Sequence, residues 1–85
     1  MDNKDKIKVL ESELTKISNA ITWNLNKGDI LRDIFHKIHR LNKEDKDAEK
    51  IIYAEMNYNI EARLELENKR TDLIWKIREL EEVIE

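Results

Sequence analysis

The chain has 85 residues, no Cys, no Pro and a single Gly, which excludes a disulfide-stapled fold, a thiolate metal centre and a sheet built on regular turns. Charged residues make up 41% of it, yet the formal net charge of −3 is too small to mark a general polyanion binder. A chain this short buries a small core, and without covalent or metal staples the common remedy is association with another chain.

No apolar run approaches the roughly 20 residues of a membrane span, and Met1 to Lys6 lack the apolar stretch of a secretory signal. The expectation is a cytoplasmic protein. With 11 Lys against 5 Arg, 12 Ile and 8 Asn, the residue usage is of the kind that accompanies an AT-rich genome, such as that of a phage or low-GC bacterium.

The composition predicts an all-α protein. The first helix is expected over residues 4–26, where Ile7, Leu10, Leu14, Ile17 and Ile21 form a stripe that Leu25 extends. Asp2 or Asn3 is placed to cap it. Trp23 lies off the stripe and is expected to cover a turn or an interface. Asn26-Lys27-Gly28-Asp29 reads as a hairpin turn: Gly suits the left-handed end of a helix and Asp the cap of the next. The second helix is expected over 29–41, with Ile30, Leu31, Ile34, Phe35, Ile38 and Leu41 apolar and Arg32, Lys37, Arg40 and Lys43 basic. Residues 42–50 carry one small apolar side chain, and a break is expected there. The seam nonetheless stays in phase across it, so a continuous helix from 29 onward is the alternative.

The third helix is expected over 47–85, with a further break conceivable near 68–71, where Thr71 could cap. Its stripe is the strongest pattern in the chain: Ile52, Met56, Asn59, Arg63, Leu66, Arg70, Leu73, Ile77, Leu80 and Ile84, at alternating spacings of four and three. This is a coiled-coil or bundle seam. Helices of about 23, 12 and 38 residues span roughly 34, 18 and 57 Å. A hairpin folded at Gly28 could not cover the third helix, and the stripe from Leu73 to Ile84 would stay bare. The architecture expected is therefore a helical hairpin plus a long C-terminal helix, assembled as a homo-oligomer through that seam.

Three polar residues interrupt the stripe. Asn59, Arg63 and Arg70 read as Arg stems lying on the seam with their heads in water, or as a register device, or as a dock for an acidic partner. Tyr53, Tyr58 and Trp75 lie off the stripe and read equally as partner contacts or as bundle core. His36 and His39, with Asp33, are too few for a metal site and lie beside Lys37 and Arg40, so solvated histidines are expected. No nucleophile triad, phosphate loop or cofactor motif occurs, and no cofactor or metal is implied. The expected function is a non-enzymatic protein-binding module, in the manner of a small phage or mobile-element regulator or inhibitor that occupies a partner's surface. Two alternatives stand beside it: a nucleic-acid-binding regulator using Arg32, Lys37, Arg40 and Lys43, and a coiled-coil scaffold.

Overall fold

The computed structural model describes residues 2–41 and 46–84, and of Leu41 and Ile84 the backbone only. Two helices account for nearly all of it: α1 (Asn3–Leu41) and α2 (Lys46–Ile84), 39 residues each. They fold back on each other as an antiparallel hairpin. A helix of that length rises about 58 Å, which matches the 63 Å long dimension of the molecule. Strand is absent among the described residues.

Asp2 starts α1 as the sequence predicts. Its Oδ1 accepts from the Asp5 amide at 2.9 Å, and its carbonyl accepts from Lys6 N. The first of these satisfies an orphan amide of the helix start, and the second is the first regular bond of the helix.

The expected hairpin turn at Gly28 is not there. α1 passes through Asn26-Lys27-Gly28-Asp29 as regular helix, and Gly28 has no left-handed φ. The physical reason lies in the periodicity beyond the local turn chemistry. Ile7, Leu10, Leu14, Ile17, Ile21, Asn24, Gly28, Leu31, Phe35 and Ile38 alternate by three and four without a slip, and every one is buried or half-buried. A single continuous helix puts all of them on one stripe, and a break at Gly28 would scatter them. The helices expected at 4–26 and 29–41 are thus one element. The break conceived at 68–71 is also absent, because Thr71 Oγ1 donates to Glu67 O inside the helix instead of capping a new one. Of the break expected over 42–50, residues 42–45 lie outside the described set, and 46–50 are already the first turns of α2, which runs opposite to α1.

Equal helix lengths change what the α2 stripe is for. From Ile52 to Leu80 its members are buried or half-buried against α1 of the same chain, and Ile77 is among the most buried side chains of the molecule. The bare edge expected from Leu73 to Ile84 is covered as far as Leu80, because α1 runs far enough to reach it, and the Ile84 side chain lies outside the described residues. The register follows from a bonded pair at mid-length, Asn24 and Asn59. It sets Leu10 opposite Leu73, Ile17 opposite Leu66 and Leu31 opposite Ile52.

The Cα cross-section is 17 × 14 Å. A straight helix is only about 5 Å across at its Cα atoms, so two straight helices side by side would make a flatter body. The 3.5-residue repeat supplies the reason: the helices wind round each other to keep their stripes in contact.

Candidate interaction surfaces

The middle of the seam is polar and closed. Asn24 Nδ2 donates to the Asn59 carbonyl at 2.9 Å, and Asn59 Nδ2 donates back to the Asn24 carbonyl at 3.2 Å. Asn59 is 4% exposed. Each amide thus reaches across to the other helix's backbone, in reciprocal fashion. Gly28 makes room for this: a Cβ there would stand 3.0 Å from Asn59 Oδ1. Asn24 Oδ1 is buried and finds no protein partner among the described residues. This clasp was readable from sequence only for Asn59. Asn24 lies on the α1 stripe once that stripe is carried through Gly28, and that phase was the signal.

Arg63 and Arg70 are half-buried on the seam. Arg63 Nε approaches Glu67 Oε1 of its own helix at 3.9 Å. A contact at that distance, on partly exposed groups, holds the head loosely along the helix surface.

At the end nearer Leu41 and Lys46 the helices are joined by His39 Nδ1 and Glu49 Oε1, 2.8 Å apart. Phe35 packs beside this pair, its ring stacked on His39 at 6.3 Å and tilted against Tyr53 at 6.1 Å. His36 meets the edge of Phe35 on the same helix. Among the described residues no three His, Cys, Asp or Glu side chains converge on a metal-sized space.

A two-helix hairpin hides only a thin seam. Among the described residues the buried apolar side chains are Ile21, Leu31 and Ile77. Twelve large apolar side chains are exposed among the described residues, and by helical phase all but Trp75 fall on the two broad faces that flank the seam. The first face carries Trp23, Ile30 and Ile34 of α1 beside Ile51 and Tyr58 of α2. Trp23 and Tyr58 border one shallow hollow with Ala62 and Lys27, which fixes them on the same side. The second face carries Leu25 of α1 beside Tyr53, Ile60 and Leu64 of α2. Toward the end near Lys46 it deepens into an open hollow of about 540 Å³, lined by Phe35, Tyr53, Ala54 and Asn57 with Lys46, Lys50 and Glu49 at its rim.

The aromatic residues singled out from sequence therefore do not gather. Tyr58 lies on the first face and Tyr53 on the second. Trp75 projects from the outer ridge of α2, where Arg78 stands 5.6 Å from its ring centre. The basic set is likewise dispersed. Arg32 leans toward Asp29 at 3.9 Å, Lys37 and Arg40 project from other sides of α1 by helical phase, and Lys43 lies outside the described residues.

No protein-family profile, characterised protein or solved structure matches the chain. No helix among the described residues is long and apolar enough to cross a membrane.

Proposed function

We propose that this protein is a non-enzymatic binding module that lays the second broad face of its hairpin against an amphipathic helix of another protein. The observation carrying this is the exposed row of Leu25, Tyr53, Ile60 and Leu64, which remains after the seam has been filled from within the chain. An apolar strip of this kind, continuous with a hollow, is what helix-in-groove recognition uses. Lys46 and Lys50 stand at the rim with Glu49, whose carboxylate is engaged by His39, and this favours a partner helix that is apolar on one side and acidic at the end lying over the two lysines. By covering such a helix the module would mask a surface of its partner, which is how a small regulator or inhibitor without chemistry of its own acts.

The test replaces Tyr53 or Leu64 with a photo-crosslinking amino acid in the cell of origin. The expected result is a covalent adduct to one other polypeptide through a helical, acidic segment. Ile60→Glu should abolish the adduct while helix content stays unchanged. Adducts formed only between copies of this chain, or adducts indifferent to Ile60→Glu, would refute the proposal.

A further inference from the structure

We infer that the first broad face, the one bearing Trp23 and Tyr58, is covered by a second copy of this chain, with both hairpins pointing the same way. The inference concerns the face opposite the one assigned above, so either can fail without the other. Area comes first. A globular monomer of 10.3 kDa exposes about 5,400 Å² by the usual mass scaling, whereas this chain exposes 6909 Å². The surplus, about 1,500 Å², is the amount each protomer hides in an obligate two-fold dimer. The most exposed side chains on the face are also the costliest to leave in water: Trp23 is 78%, Tyr58 67%, Ile51 65% and Ile30 59% exposed.

The pattern along the face supplies the second argument. The register fixed by Asn24 and Asn59 aligns the outer positions of α1 and α2 level by level: Ile30 with Ile51, Trp23 with Tyr58, Lys16 with Glu65. Consider two hairpins stacked face to face about a two-fold axis running along the rod. Each α1 then lies over the partner's α2 at the same level. Apolar residues meet apolar residues near the ends of the hairpin that hold Leu41 and Lys46, and Lys16 meets the Glu65 carboxylate of the other copy. One level further in, Lys27 meets Glu55, and Glu13 meets Lys69. If the hairpins pointed in opposite directions, α1 would lie over α1 and Ile30 would face Lys16. From the Glu13 level to the Ile30 level the face is self-complementary in the first arrangement and mismatched in the second, and only toward the start of α1 do Lys6 with Lys76 and Val9 with Asp72 depart from that pattern. The product is a four-helix bundle whose second core layer is the Trp23 face.

The native chain has no Cys, so two single-cysteine variants of the full chain, Ile30→Cys and Ile51→Cys, can be mixed and oxidised. The expected product is a mixed disulfide dimer joining position 30 to position 51, formed from protein that already sediments as a dimer at micromolar concentration. Trp23→Glu should raise the dissociation constant at least tenfold with helix content retained. Should that variant unfold, Lys16→Glu is expected to weaken the dimer and Lys16→Glu with Glu65→Lys to restore it. A monomer at 100 µM in wild-type protein, or preferential joining of Ile30→Cys to Lys16→Cys, would overturn the inference.

Discussion

Gly28 and Asn59 are fitted to each other, and the fit sets the sign of a substitution. Ala in an exposed helix interior is better than Gly by about 1 kcal/mol. At Gly28 the added methyl would press on Asn59 Oδ1, and that amide cannot easily swing away, because its Nδ2 is held by the Asn24 carbonyl. Gly28→Ala is therefore expected to destabilise the wild-type protein, yet to stabilise an Asn59→Ala background by roughly 1 kcal/mol. Urea unfolding of the four variants of this cycle measures it, and a stabilising Gly28→Ala in the presence of Asn59 would contradict the packing described. Arg70 offers the reverse case. It occupies a seam position opposite Leu14 with its stem half-buried, and a Leu there would add apolar contact without leaving a buried charge unpaired. Arg70→Leu is expected to raise the thermal midpoint by about 4–8 °C, the shift that roughly 1 kcal/mol makes in a domain of this size.

Among the elements, the α2 stripe is legible in the sequence, with a break near 68–71 and continuity with the preceding helix left open, and α1 is legible in two pieces. Asn26-Lys27-Gly28-Asp29 carries good turn chemistry within four residues, and a local reading stops there. What decides the matter acts over 32 residues: the three-four alternation from Ile7 to Ile38 keeps its phase through Asn24 and Gly28. A polar and a missing side chain at seam positions look like an interruption until the facing Asn59 is seen to need them. A turn at Gly28 would also shorten α1 and leave the end of α2 bare, and a second molecule would then be needed to cover the stripe. The interaction faces were less accessible still. Trp23 and Tyr58 are 35 residues apart in sequence and come to one face only through the hairpin register. Tyr53, Tyr58 and Trp75 were recognised as lying off the seam, but sequence periodicity alone did not say that they point three ways.

For the protein as a body, one geometric fact governs how it comes apart. His39 and Glu49, ten positions apart, are joined at one end of the rod. The start of α1 at Asn3 and the end of α2 near Val83 lie level with each other at the other end. Loop closure is cheap for the first pair and dearer for each rung beyond it. Native contacts thus accumulate like teeth of a zip pulled from a single end, and they part from the opposite end first. Amide hydrogen exchange should show this as a gradient. Protection is expected to be greatest between the Asn24 level and the His39 level, and to fall steadily toward Asn3 and Val83. Uniform protection along both helices would mean that the rod opens all at once.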